Sequence, residues 1–291
     1  MKITECPICK NSPRPLYQIE RFQEPFSILE CPECGLQMQS TIPDNPSNFY
    51  DESYYSGSAE FSYKDERRKT KYENYVWDAR LKNISKYLPP PRDFLDVGAS
   101  FGGFVEAASK FGYNARGIDP SPYAVTEGKK AGRDLILGEF TPEILPPASV
   151  DILTMIEVIE HLPDPQKAFR AMKQIVRPGG MVLIQTANFL GLQARREKSS
   201  YHYYLPGHLF YYSTTNLRRI LRENGFSKTV VFQPTDFGLL PKLQKSRGDF
   251  KKISDYLRWL SIAKYHLKSK IHLGNFSWTS SMCLYAFRDS E

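Results

Sequence analysis

From about position 93 onward, short apolar runs alternate with longer stretches in which apolar residues recur every three or four positions. The short runs, 94–97, 115–118, 134–137, 150–155 and 181–186, predict strands, and the stretches 104–111, 123–131 and 166–176 predict helices. Such alternation builds a mostly parallel sheet with right-handed crossovers, covered by helices on both faces. A further helix is expected over 215–224, stopped by Gly225, and two more strands at 230–233 and 282–287. The fold class read from this pattern is α/β, a doubly wound sheet of seven strands. Upstream, a mixed-charge helix is expected over 69–87, halted by Pro89-Pro90-Pro91. Near the C-terminus, Phe250, Ile253, Leu257, Leu260, Leu267 and Ile271 fall at helical spacing. They predict an amphipathic helix packed on the domain edge, with its cationic face in solvent.

Charge changes the picture locally. Between Lys242 and His272 lie nine Lys/Arg against Asp249 and Asp255, an excess of seven that equals the whole chain's net charge of +7. The basic character therefore belongs to one insertion, about 240–275, and not to the general surface. Besides a solvated face, this insertion could form a lid over an anionic or lipid-linked substrate, with peripheral membrane contact, or a grip on nucleic acid. An apolar content of 41% is ordinary for a globular chain, and no run approaches the roughly 18 residues of a membrane span. Residues 1–10 lack the apolar core of a signal peptide, so a cytoplasmic location is expected.

Four of the five cysteines form two Cys-x-x-Cys pairs, Cys6/Cys9 and Cys31/Cys34, with 21 residues between them. In a reducing compartment this pattern favours a closed, structural zinc site over disulfides. Cys283 lies in an apolar run and reads as a buried strand residue. The expected organisation is a zinc-ribbon-like module over 1–47, a tyrosine-rich connector and helix over 48–91, and an α/β domain over 92–291.

The segment with most chemical content is Phe94-Leu-Asp-Val-Gly-Ala-Ser-Phe-Gly-Gly-Phe104. An apolar strand runs into a turn containing Gly98 and Gly102, and a helix follows. Small residues let the backbone approach a ligand closely, and the helix N-terminus offers free amides. Asp119, at the tip of the next strand and 23 positions after Asp96, can accept both hydroxyl hydrogens of a ribose. A bare N-cap role for Asp119 is the structural alternative. No Gly-Lys-Ser/Thr follows the turn, which disfavours a nucleoside triphosphate.

Asp96-Val-Gly-Ala-Ser-Phe-Gly102 resembles the first motif of class I S-adenosylmethionine-dependent methyltransferases, with Ser100 where a middle glycine is usual. Gly117-Ile-Asp-Pro-Ser121 resembles their second motif. The runs from Val150 to Pro165 and from Arg177 to Thr186 resemble their fourth and fifth strands. The resemblance implies a Rossmann-like fold and S-adenosylmethionine as cofactor. Asp96, Gly98, Ser100 and Gly102 would form the turn at its methionine portion, and Asp119 with Pro120 would meet the ribose. Glu139 and Phe140 would flank the adenine, with Ile156 and Glu157 lining the sulfonium side.

An oxygen nucleophile also needs a base. His161 and His208 are the candidates, with His202 behind them. Glu157-Val-Ile-Glu160-His161 is similar to a Glu-x-x-Glu-His run in quinone-biosynthesis O-methyltransferases, where it serves a divalent cation, although a structural loop reads the same way. A zinc-binding N-terminus and tyrosine-rich connector ahead of such a core resemble nucleotide-sugar C-methyltransferases, whose chains are longer; there Tyr54, Tyr55 and His208 would act on the sugar. The expected acceptor is a small molecule, a sugar, glycan precursor or related metabolite, free or linked to a nucleotide or lipid. The alternative is RNA, held by the zinc module and the basic helix, against which the zinc region's own lack of positive charge counts.

Overall fold

The computed structural model describes residues 1–43, 65–273 and 276–290. Tyr54 and Tyr55 lie outside the described residues. The strands are β1 (Arg14–Ile19), β2 (Phe26–Glu30), β3 (Gln37–Gln39), β4 (Asp93–Val97), β5 (Asn114–Asp119), β6 (Leu135–Leu137), β7 (Val150–Ile156), β8 (Val176–Ala187), β9 (Phe210–Tyr211), β10 (Lys228–Phe232), β11 (His272–Leu273), β12 (Phe276–Ser277) and β13 (Ser281–Phe287). The helices are α1 (Thr70–Ile84), α2 (Gly103–Phe111), α3 (Pro122–Lys130), α4 (Pro165–Ile175), α5 (Leu192–Glu197), α6 (Thr214–Glu223), α7 (Leu239–Ser246) and α8 (Arg258–Ser269).

Seven strands form the central sheet in the order β10-β13-β8-β7-β4-β5-β6. Pairings among β4 to β8 are parallel, and β13 runs antiparallel to both of its neighbours. Strand alternation divides the core between the two faces. Leu95, Val97, Leu153, Met155, Val182 and Ile184 pack with α4 and α6 on one side. Phe94, Ile152, Met181 and Leu183 pack with Trp77, Leu81 and Phe104 on the other. Cys283 is buried on β13, as its apolar surroundings suggest.

Local signals set the helix ends. Asp164 accepts from the Lys167 amide at 2.9 Å ahead of Pro165, and Ser213 with Asn216 forms a reciprocal cap on α6. Gly225 closes α6 in the left-handed region at φ 84°.

The N-terminal strands join the rest of the chain through a second sheet, β1-β2-β3-β9, whose last strand comes from the segment after β8. Met38 lies opposite Phe210, and Gln37 opposite Tyr211. Arg21 donates to the carbonyls of Ser199, Tyr201 and Tyr204. Cys6, Cys31 and Leu36 belong to the same apolar cluster as Ile159, Phe169 and Phe210.

The basic segment departs from expectation. It is α7, two short 3₁₀ turns and α8 rather than one long helix. The apolar stripe expected to pack inward faces outward: Ile253, Leu257, Leu260, Leu267 and Ile271 are exposed. The inner side of α8 is instead supplied by Trp259, Tyr265, His266 and Ser269. Trp259 donates to the Ser246 hydroxyl at 3.0 Å, and His266 and Ser269 are buried.

Candidate cofactor and acceptor site

The glycine turn leaves β4 at the carboxyl edge of the sheet. Gly98 has φ 70°, and a Cβ there would come within 2.4 Å of the Val158 side chain, so only glycine fits. Its amide and that of Ala99 donate to the Ile118 carbonyl at 2.8 and 3.0 Å, which ties the turn to β5. The Ser100 amide then donates to Asp119 Oδ2 at 2.7 Å, and the Ser121 amide to Oδ1 at 2.9 Å. Ser121, not Asp119, caps α3, by accepting from the Ala124 amide. Asp119 is thereby held in place as a buried acceptor at the tip of β5. The Ser100 hydroxyl is buried without a hydrogen-bond partner. A buried orphan hydroxyl beside a glycine turn suits a polar ligand group, as the methionine portion of the cofactor would supply.

The other expected cofactor residues distribute along the same edge. Asp96 is buried on β4 and accepts from the Thr154 hydroxyl at 2.6 Å. Pro120 follows β5. Gly138 donates to the Asp119 carbonyl at 3.1 Å, bringing the end of β6 beside that of β5, with Glu139 exposed and Phe140 buried. Ile156 ends β7, and Glu157 follows with a left-handed φ of 56°. Because Val158 abuts Gly98, the run from Glu157 to His161 begins beside the start of the turn.

Glu157 is tied to β8 while it stays close to Glu160. Gln185 donates to Glu157 Oε1 at 2.8 Å, and Gln185 Oε1 in turn accepts from Arg80 Nη2. Arg80, on the buried side of α1, is paired with Asp236: Nη2 donates to Oδ1 at 2.8 Å, Nε donates to the same carboxylate, and Tyr285 donates to Oδ2 at 2.6 Å. Burial works against the Arg80 charge, and Asp236 together with Cys283 and Tyr285 more than offsets it. The position of Arg80 among Trp77, Leu81 and Ile84, the apolar face of α1, is the one sequence signal that could have marked it. Lys242 on α7 is a second residue not anticipated. Burial first, then Lys245, lowers its pKa, while Glu73 and Glu157 draw it back up.

Glu160, His161 and His208 form a close group whose ligand atoms all lie within 4.8 Å of one another. The two imidazoles meet edge to face with centroids 4.6 Å apart. His161 Nδ1 sits 2.8 Å from the Gly207 carbonyl, and His208 Nδ1 2.9 Å from that of Tyr203. A carbonyl only accepts, so each Nδ1 carries the hydrogen and each Nε2 a lone pair. Burial pushes the His161 imidazole down to about 4, and burial, then the neighbouring His161, pushes His208 well below its usual range. Burial, then the Glu157 charge, raises the Glu160 carboxyl well above the usual value, and both of its oxygens lack hydrogen-bond partners. The module fixes this loop, since Gln39 Nε2 donates to the carbonyls of Leu205, Pro206 and His208. His202 lies apart, 3.6 Å from Glu197.

Among the N-terminal residues, the Cys6 and Cys34 sulfurs are 3.6 Å apart, those of Cys9 and Cys31 are 3.3 Å apart, and all four lie within 4.8 Å of one another. A tetrahedron with metal–sulfur bonds of about 2.3 Å has edges near 3.8 Å. The two knuckles repeat one geometry: Lys10 (φ 64°) donates to the Cys6 carbonyl, and Gly35 (φ 67°) to that of Cys31. The four thiols therefore fit one zinc ion. Cys31→Ser is expected to reduce zinc from about one per chain to a small fraction. It should also lower the melting temperature by about 10 °C, the scale of several kcal/mol in a chain of this size. Elemental analysis and calorimetric melting check this; unchanged melting in a zinc-free wild type would contradict it.

A family model described as a methyltransferase domain matches residues 67–230. The ubiquinone biosynthesis O-methyltransferase of Cupriavidus pinatubonensis is 36% identical over 101 residues, covering 32% of this chain and 41% of that protein. The protein of the same name from Pseudomonas entomophila is 37% identical over 101 residues, covering 32% and 44%. The chain thus spans about two fifths of the length of the curated relatives it matches. Among solved structures, phosphoethanolamine N-methyltransferase 2 of Haemonchus contortus, bound to S-adenosyl-L-methionine, superposes with TM-score 0.52 at 17% identity, over 94% of this chain and 71% of that one. At that identity the likeness speaks for the fold.

Proposed function

Since the chain belongs to the methyltransferase-domain family, we propose that it transfers the methyl group of S-adenosylmethionine to a hydroxyl oxygen of a small acceptor, a sugar or glycan precursor. The observation that carries this reading is the union of the glycine turn with the second-strand carboxylate. Ser100 donates its amide to Asp119, and Val158, packed against Gly98, leads directly to the group of Glu160, His161 and His208. The relatives named as O-methyltransferases support oxygen as the acceptor atom. Lys242 supports an acceptor bearing an anionic linkage, such as a nucleotide or lipid phosphate.

In this mechanism Asp119 accepts the ribose hydroxyls, while Gly98, Ser100 and Gly102 leave room for the methionine portion. Asp96, Pro120, Glu139, Phe140, Ile156 and Glu157 complete the cofactor's surroundings. The acceptor oxygen attacks the methyl carbon in line with the departing sulfur, so alignment and exclusion of water supply most of the rate. As the new carbon–oxygen bond forms, the hydroxyl proton becomes strongly acidic. A neutral imidazole with a depressed pKa is still basic enough to take it at Nε2. Glu160, His161 and His208 would alternatively hold a divalent cation; it would take up the Nε2 lone pairs and, in place of the imidazole base, supply Lewis acidity to an acceptor oxygen. The cysteine site, with four thiolates, leaves no open position and would hold a structural zinc.

Asp119→Ala is expected to weaken S-adenosylmethionine binding by about tenfold or more, the scale of lost hydrogen bonds to a charged group; calorimetry giving the wild-type affinity would remove its assigned role. The acceptor class is tested by methyl transfer from tritium-labelled cofactor into fractions of a cell extract depleted of this protein. Label in a soluble or lipid-linked metabolite supports the reading, and label in RNA contradicts it.

A further inference from the structure

Among the described residues, the outward face of α8 and of the turn before it takes no part in the packing or in the chemistry above. Leu257, Leu260, Leu267 and Ile271 recur at three-, seven- and four-residue intervals and so form one stripe along the helix. All four are exposed, Leu260 at 69%, and Ile253 ahead of them stands at 90%. The inner face of the same helix is fully engaged through Trp259, Tyr265 and His266. The stripe therefore cannot turn inward without uncovering that packing.

The surroundings of the stripe indicate what would cover it. Lys264 sits within it, and Lys251, Lys252, Arg258, Lys268 and Lys270 flank it. Within 250–271 the acidic side chain is Asp255, and its carboxylate is held by the Lys251 and Lys252 amides at 2.7 and 3.0 Å. Among the described residues, the ion pairs of the basic segment run from Asp249 to Lys69 and from Lys245 to Glu73, away from these cations. A soluble protein partner would need an apolar groove ringed by carboxylates. A bilayer with anionic headgroups meets both requirements together, since acyl chains take the leucines and lipid phosphates meet the lysines.

We propose that this face docks the protein on an anionic membrane surface, with α8 lying in the plane of the headgroups. The same helix turns Tyr265 and His266 inward, toward the side on which Lys242 lies, so docking would set the acceptor site beside the bilayer. The docking itself does not depend on the methyltransferase reading, and its test makes no use of activity.

The full chain is sedimented with large unilamellar vesicles of phosphatidylcholine alone, or with about one quarter phosphatidylglycerol. The protein is expected to pellet with the anionic vesicles, to stay in solution with the neutral ones, and to be released by added salt. Leu260→Asp with Leu267→Asp should weaken partition at least about tenfold through lost apolar insertion. Lys264→Glu with Lys268→Glu should weaken it by a similar factor or more, each lysine near an anionic surface contributing about fivefold. Thermal melting of both variants should match the wild type, because the altered side chains are exposed. The proposal is overturned if wild type ignores anionic vesicles, or if both pairs of substitutions leave partition unchanged. It is equally overturned if the leucine pair instead dissolves a dimer of a chain that does not bind vesicles, or if the segment binds RNA while vesicles stay bare.

Discussion

His208→Ala is expected to lower kcat/KM for the methyl acceptor by about 10²–10⁴-fold, the usual span for a positioned acid–base group, while leaving S-adenosylmethionine affinity unchanged. The expectation rests on how tightly the ring is fixed. Its Nδ1 is bound to the Tyr203 carbonyl, and its own backbone carbonyl accepts from Gln39. The imidazole is buried and its pKa is depressed, so it meets the acceptor uncharged. His161, 4.6 Å away, offers a second Nε2 and would retain part of the activity. His208→Gln should fare no better, because an amide nitrogen cannot accept a proton. Steady-state kinetics with the acceptor identified by label transfer, beside calorimetry with the cofactor, separates the two effects. A kcat/KM within about threefold of the wild type would remove His208 from the chemistry.

The second large effect concerns stability. Arg80→Met should cost about 3–5 kcal/mol, because it leaves the buried Asp236 carboxylate without its cation. Both side chains are almost wholly removed from water, 3% and 0% exposed. At roughly 2–4 °C per kcal/mol for a protein of this size, the melting temperature should fall by about 10 °C or more. Adding Asp236→Asn should recover a large part of that loss, since the orphaned charge is then gone. The single variant should also disturb the site, because Arg80 fixes the Gln185 amide that donates to Glu157. Melting within about 2 °C of the wild type would mean that the pair is far weaker than its geometry implies.

The sheet was legible because strand and helix periods are local. Each of the five parallel strands was expected from its own apolar run, and a glycine turn followed by a carboxylate 23 positions after Asp96 was readable without tertiary knowledge. What escaped depends on segments distant in sequence. Two residues, Phe210–Tyr211, are too short to announce a strand, yet they complete the N-terminal sheet. Arg80 acquires meaning only when Asp236 closes on it. Glu157, grouped in sequence with Glu160 and His161, is also tied to Gln185 of β8, and His208 from another segment joins Glu160 and His161. On α8 the apolar spacing was visible, but periodicity defines a stripe and not the side on which it faces. The neighbouring Trp259, Tyr265 and His266 compete for the inner side, and their packing decided it.

The most direct test is a structure determined by diffraction from crystals soaked with S-adenosylhomocysteine. The nucleoside should lie along the turn from Gly98 to Gly102, with its ribose hydroxyls on the Asp119 carboxylate and its sulfur toward Ile156 and Glu157. An empty crevice at saturating ligand, or a different cofactor seated there, would contradict the account.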